Sequence, residues 1–278
     1  MASQVAAIKR VKGVTPLLIV DGFNFCDPRC SSYFLTHYHA DHTTGLHAAF
    51  DLGQIYCTEV TKRLLVHHKG VAEKFVTVLP MNESTEVEGV QVTPIDANHC
   101  PGAAMLHFHD PATGATVLHV GDFRAASCLR SDPHLVSLLG KSTVTTLYLD
   151  TTYADPKHTF PDQEVACLSM GEVVKKELAR EPKTLFVCST YQIGKENAVE
   201  AVVKAAGSKA HVTRDRARML RLSARWDEEL YTEVDSEHVR VRVTSMAGET
   251  EHKDLAEKLI EFNQARYGTS STSSTSST

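Results

Sequence analysis

The chain lacks a surplus of positive charge, a cysteine framework and any long apolar run. Its 29 Lys and Arg against 34 Asp and Glu leave a formal charge of −5. That argues against a generally basic nucleic-acid coat while leaving room for a local basic groove. Seven cysteines are an odd number scattered without disulfide-like spacing. Cys26 and Cys30 stand too isolated for a zinc knuckle, so all seven read as reduced thiols of a cytosolic or nuclear protein. The N-terminal stretch MASQVAAIKRVKGVTPLLIVDGF has no apolar core followed by a small-residue cleavage site. No run approaches the roughly 20 apolar residues that span a bilayer, so a soluble intracellular protein is expected. What the chain does have is histidine, fifteen in all. Three of them, with an aspartate, fall within six positions of FLTHYHADHTTGL (Phe34 to Leu46).

The first half alternates short apolar runs with turns. LLIVD, YFLTH, QIYC, VQVTPIDANH, AMLHFHD and TVLHVGD are rich in β-branched and aromatic residues and read as strands. TEVTKRLLVHHKG reads as a helix with Thr58 as N-cap and Gly70 as its stop. After Asp150 the pattern predicts a helix near Val165 to Arg180, a strand TLFVC, a helix from about Gly194 to Ala206 and a strand KAHV. Such a strand–helix–strand unit favours a parallel sheet. A last helix, ETEHKDLAEKLIEFNQARY, precedes a low-complexity Ser/Thr stretch that cannot form a core. No internal repeat is found.

His37 and His39 lie two residues apart and point the same way on an extended segment; Asp41 and His42 follow on the turn. Imidazoles with carboxylates suit borderline metals such as zinc. One turn cannot close a site, and two further strand ends offer ligands: His99 in DANHCPGA and Asp122 in HVGDFR. Asp21, in IVDGF, is a third acidic strand end, better placed to support than to ligate.

Taken in order, Asp21, HYHADH, His99 and Asp122 match the motifs of the metallo-β-lactamase superfamily. More narrowly, YFLTHYHADHTTGL, DANHCPGAAM, GDFR, LYLDTTYADPKHTFP and STYQIGKE resemble the DNA cross-link repair branch of the β-CASP nucleases. The resemblance runs from about residue 14 to about 265. It implies an α/β chain with three parts. Residues 1–160 would form a metallo-β-lactamase αββα sandwich, incomplete, and residues 161–267 a partial β-CASP α/β domain with a parallel sheet. Residues 268–278 would be a disordered tail. It also implies one zinc on His37, His39, His99 and Asp122, and a second Zn2+ or Mg2+ on Asp41, His42 and the shared Asp122. Two such cations about 3.5–4 Å apart polarise a phosphodiester and activate water to attack phosphorus. Asp21 would orient a ligand or the water, and Asp150, in YLDTTY, would support the same site.

The expected activity is thus that of a metal-dependent 5′-to-3′ exodeoxyribonuclease of interstrand cross-link and double-strand-break repair. It would work in the nucleus on 5′-phosphorylated single strands or damaged duplex, with repair-complex proteins as further partners. An RNA-processing β-CASP nuclease and an inactive DNA-binding fragment are the alternatives. STYQIGKEN opens a helix, where Ser189, Thr190, Tyr191, Gly194 and Lys195 could hold a DNA phosphate, or Ser189 or Thr190 could be a plain N-cap. It lacks the glycine spacing of a nucleotide-binding P-loop. The run KAHVTRDRARMLRLSAR, with Arg214, Arg216 and Arg218, reads as a path for the phosphate backbone or as a solvated helix face. His107, His109 and His119 read as sheet residues, and His67 and His68 as helix-end residues facing terminal carbonyls. Past Tyr267 the family's closing strands and its further histidine ligand find no counterpart, so a C-terminally truncated member with a less complete second metal set is expected. His238, in SEHVR, falls too early to replace that histidine.

Overall fold

A computed structural model describes residues 2–141 and 143–245. The helix expected at the C-terminal end and the Ser/Thr tail lie outside the described residues. Those described divide into two compact units. The first holds residues 2–166 together with 192–196 and 215–226; the second holds 167–191, 197–214 and 227–245. The expected cut near 160 therefore differs in one respect: two later segments lie with the first unit.

Two sheets build the first unit. The strands β1 (Leu18–Val20), β2 (Ser32–Phe34), β3 (Gln54–Cys57) and β4 (Val76–Val78) are all parallel, in that order. The second sheet runs β5 (Thr85–Val87), β6 (Val90–Asp96), β7 (Ala104–His109), β8 (Thr116–His119) and β9 (Thr146–Tyr148). It is antiparallel until β9 joins β8 in parallel. Alternation of side chains sets the layers. Leu18, Val20 and Phe34 meet Val90, Val92, Leu106, Phe108 and Val117 between the sheets, with the rings of Phe34 and Phe108 edge to face at 5.1 Å.

The intervening residues Ile19, Tyr33 and Ile55 point the other way and pack with Leu64, Leu65 and Met219. On the far face of the second sheet, Ile95, Met105 and Leu118 pack with Leu129, Leu135 and Leu138. These last come from the short helices α3 (Ser127–Arg130) and α4 (Pro133–Lys141). The result is the helix–sheet–sheet–helix layering of the metallo-β-lactamase-like α/β fold, preceded by α1 (Ala2–Lys9).

The helix expected from Thr58 to Gly70 is only partly regular. Thr58 caps α2 (Glu59–Leu64), accepting from the Thr61 amide, but Leu65–Lys69 form a π turn. The amide of Val71 reaches back to the Leu65 carbonyl at 3.0 Å. The extra residue in that turn redirects His67, His68 and Lys69, and π turns often mark functional positions.

The second unit contains one parallel sheet, ordered β10 (Phe186–Thr190), β13 (Val241–Ser245), β11 (Ala210–His211) and β12 (Tyr231–Thr232). Helix α5 (Gln163–Arg180) buries Val174, and α6 (Glu196–Ala206) buries Val199, Val202 and Val203. The central strand β13 went unread in the sequence, although VRVRV alternates as a strand should.

Candidate metal centre

The loops after β1, β2, β6 and β8 carry the motif residues. Asp21 follows β1 with φ of +49°, a conformation aspartate tolerates better than most residues. Its amide donates to the Phe34 carbonyl at 2.9 Å, tying the ends of β1 and β2 together. Gly121, just before Asp122, has φ of +55°, and a Cβ there would lie 2.9 Å from Thr36 Cβ. Only glycine lets the β8 loop close this tightly on the β2 loop.

One donor atom each from His37, His39, His99 and Asp122 gather within 4.8 Å of one another. Hydrogen bonds behind the rings assign the nitrogens. Thr36 Oγ1 gives its proton to Asp21 Oδ2 at 2.7 Å, so His37 Nδ1, 3.0 Å from that oxygen, must donate to it. His37 Nε2 is then a lone pair facing inward. His39 Nε2 lies 3.0 Å from the Ile193 carbonyl, which can only accept, so Nδ1 is the inward lone pair. These two lone pairs are 2.9 Å apart, and His99 Nε2 is 3.1 Å from His39 Nδ1. Lone pairs so close repel unless a proton or a metal cation lies between them. Asp122 Oδ2 adds a negative charge 3.6 Å from His99 Nε2 and 4.0 Å from His37 Nε2. Burial and neighbouring imidazoles push the His37 pKa down to about 2 and that of His99 to about 4, which keeps both rings neutral. The donor set fits a divalent ion with nitrogen and oxygen preference.

His42 differs. Its Nδ1 donates to Asp21 Oδ2 at 2.7 Å, while Nε2 lies 3.2 Å from Asp122 Oδ1 and 3.4 Å from Asp41 Oδ2. Burial alone would lower its pKa, but hydrogen bonds to Asp122 and Asp21 raise it to about 10. The partners respond in kind. Burial would raise the Asp21 pKa, yet His42 holds it at about 2, and the His42 hydrogen bond holds Asp122 well below the carboxylate range. Asp122 thus offers one oxygen to the neutral set and the other to His42. Asp41 has a side chain 78% exposed.

With this geometry in hand, the relatives are informative. No family model matches the chain. Over 210 residues it is 42% identical to the DNA cross-link repair protein SNM1 of Arabidopsis thaliana, covering 75% of this chain and 42% of that one. Over 192 residues it is 41% identical to the DNA cross-link repair 1A protein of Homo sapiens, covering 69% and 18%. The chain belongs to the DNA cross-link repair family of SNM1 and Apollo. The 5′ exonuclease Apollo of Gallus gallus is 34% identical over 191 residues, covering 68% of this chain and 39% of that one. The chain therefore spans less than half the length of these family members. A protein of unknown function from Enterococcus faecalis V583 shares the fold, with TM-score 0.53 and 14% identity over 85% of this chain and 67% of that one.

The other family motifs fall in varied surroundings. Asp150 is half-buried and accepts from Thr152 N and Oγ1 at 2.9 and 2.6 Å. Its carboxylate closes its own turn, and no contact with the histidine cluster is seen among the described residues. Ser189 and Thr190 are not helix caps, because they end β10 and α6 begins only at Glu196. Ser189 Oγ is buried with no hydrogen-bond partner among the described residues, and Tyr191 is exposed. Gly194 N donates to Glu196 Oε1 at 2.8 Å. A carboxylate therefore already sits at the start of α6, where a phosphate was expected beside the exposed Lys195.

Helix α7 (Arg214–Leu222) is not simply a solvated face. It buries Ala217, Met219 and Leu220, Arg216 Nη1 donates to the Gln192 carbonyl at 2.8 Å, and Arg218 donates to the His67 carbonyl. His68 faces the Tyr38 hydroxyl at 3.0 Å rather than a terminal carbonyl. His107, His109 and His119 are sheet residues, His119 stacked on Tyr148 at 5.0 Å. Two contributors escaped sequence reasoning. Thr36 adjoins the motif and was within reach of it, whereas the Ile193 carbonyl left no signal.

Proposed function

We propose that this chain is a metal-dependent DNA nuclease that degrades 5′-phosphorylated single strands, or damaged duplex, in the 5′-to-3′ direction during cross-link and double-strand-break repair in the nucleus. The observation carrying this reading is the convergence of lone pairs from His37 and His39 with His99 and Asp122, in a chain related to SNM1 and Apollo. His37, His39, His99 and Asp122 would hold one Zn2+. Asp41 and His42, with the second oxygen of Asp122, would hold another Zn2+ or a Mg2+. A bound divalent cation supplies Lewis-acid polarisation of a phosphodiester and acidifies water.

The chain's own groups prepare the site. Asp21 accepts from His42 and, through Thr36, aligns His37, so one buried carboxylate orients both halves. Asp122 divides its oxygens between them. Asp41, facing solvent, would be the carboxylate that meets an incoming phosphate. Asp150 has a supporting role, holding the turn after β9. The exposed Lys195, beside the start of α6, would meet the terminal phosphate. Arg214, Arg216 and Arg218 would lend positive charge to the strand, so that binding weakens steeply with salt.

The test is metal analysis joined to degradation of a 5′-phosphorylated oligodeoxynucleotide by the full chain. At least one zinc per chain is expected, with activity lost on chelation and in Asp122→Ala. Less than one bound metal with no turnover, or preferential cleavage of RNA, would overturn the proposal.

A further inference from the structure

We infer that the loop Gln192–Gly194 is a positioning element for His39: its Ile193 carbonyl selects which ring nitrogen His39 turns towards the metal set. The inference rests on the metal reading above and concerns how one ligand of that set is held. Residues 193 and 39 are 154 positions apart, yet the Ile193 oxygen lies 3.0 Å from His39 Nε2. A carbonyl cannot donate, so it admits only the tautomer protonated at Nε2, and Nδ1 is left to face His37 Nε2 and His99 Nε2 at 2.9 and 3.1 Å. Hydrogen bonds behind a ligating imidazole commonly set its tautomer and orientation in this way.

The loop is built to hold that carbonyl still. The Ile193 side chain is 1% exposed, packed in the same core as Tyr38, Leu46 and Met219. Gly194 has φ of +97°, and a Cβ there would sit 3.3 Å from Cys100 Cβ and 3.7 Å from His39 Nε2. The loop can approach the ring this closely only with glycine following the isoleucine. From the other side, Arg216 Nη1 donates to the Gln192 carbonyl at 2.8 Å. The Gln192 side chain lies 3.3 Å from His68 Nε2, and the opposite nitrogen of His68 meets the Tyr38 hydroxyl between the two ligating histidines. The π turn that displaces His68 and the arginine of α7 thus serve the same loop. The short Gly-Lys segment acts in this unit as a clamp on a ligand.

The experiment strips the full chain of metal and titrates it with Co2+, reading affinity and the visible d–d spectrum alongside the thermal midpoint. Gly194→Ala and Arg216→Met should each weaken Co2+ binding about 10- to 100-fold and shift the d–d bands. Arg216→Lys, which keeps a donor, should recover most of the affinity. Val87→Ala, in the sandwich core away from the loop, should lower the midpoint without changing affinity or spectrum. Parental affinity and spectrum in both Gly194→Ala and Arg216→Met would overturn the inference. If Gly194→Ala does not fold, the contrast between Met and Lys at position 216 decides alone: equal affinities would overturn it. His39→Ala separates this from the metal reading. Loss of Co2+ in His39→Ala with no change in the loop variants rejects only the clamp, whereas parental binding in His39→Ala rejects the metal site itself.

Discussion

Within six residues of one turn, two groups of histidines meet opposite electrostatic environments. His37 and His39 face inward with lone pairs 2.9 Å apart, and burial keeps His37 neutral, with its pKa at about 2. His42, one turn further, lies among Asp21, Asp41 and Asp122 and holds its proton up to about 10. The first group presents a gap between nitrogen donors that a divalent cation would fill. The second carries its own cation in the imidazolium, which already neutralises the carboxylates around it. A metal joining His42 must displace that proton, whereas a metal joining His37 displaces none. The two halves of HYHADH should therefore fill unequally, the first before the second.

The largest blow to this contrast is His37→Ala. Removing the fully buried ligand should abolish metal at the first set and lower nuclease activity on the order of 10³-fold, the scale of several kcal/mol of lost Lewis-acid stabilisation. Metal content by mass spectrometry and a gel assay check it, and retained stoichiometry would reverse the assignment. Asp41→Ala should separate the halves. Activity should fall about 10²-fold while one metal per chain remains, and equal loss of both metals would erase the distinction.

Asp21→Asn keeps the shape of the carboxylate and removes its charge. Because Asp21 serves His42 directly and His37 through Thr36, both halves should weaken, by about 10- to 100-fold in metal affinity, with His42 affected more. Isothermal titration of the variant resolves the two steps.

The smallest effect is on the pH dependence of the metal-free chain. His42 has a raised pKa, so its ion pairs contribute stability that is fully present below 6.5 and lost as pH rises through about 10. Asp21 has a lowered pKa, so its contribution is present above 3.8 and lost as pH falls through about 2. The thermal midpoint of the metal-stripped chain should decline as pH rises from 6.5 to about 10 and do so less in His42→Gln. Identical slopes would remove the imidazolium from the account.

The gathering of His37, His39, His99 and Asp122 could be read in advance because candidate ligands leave short-range marks. His37 and His39 alternate on an extended segment, Asp41 and His42 follow at once, and His99 and Asp122 end strands recognisable by their β-branched runs. The two sheets were legible for the same reason: Leu18, Val20, Phe34 and Phe108 obey the period of two that a sandwich core demands. Other features left no such trace. Nothing in LVHHK announces a π turn, since one extra residue in a turn changes no periodicity over five positions. Arg216 and Arg218 read as a phosphate path or a solvated face, and neither reading foresaw their main-chain acceptors, because carbonyls carry no residue identity. Asp150 shares a motif with the family, yet its carboxylate is occupied by Thr152 two residues on.

Residue order was enough to specify which side chains can ligate, the alternation that turns them to one face, and the fold class that presents them at strand ends. Tertiary structure alone decided which nitrogens of His37 and His39 face the cluster, why the His42 pKa is raised while that of His37 is lowered, and why a loop 154 positions away must end in glycine. The physical reason is that donor type and spacing are local properties of a chain. Tautomer and charge depend on burial and on hydrogen bonds to whatever backbone the fold brings within 3 Å.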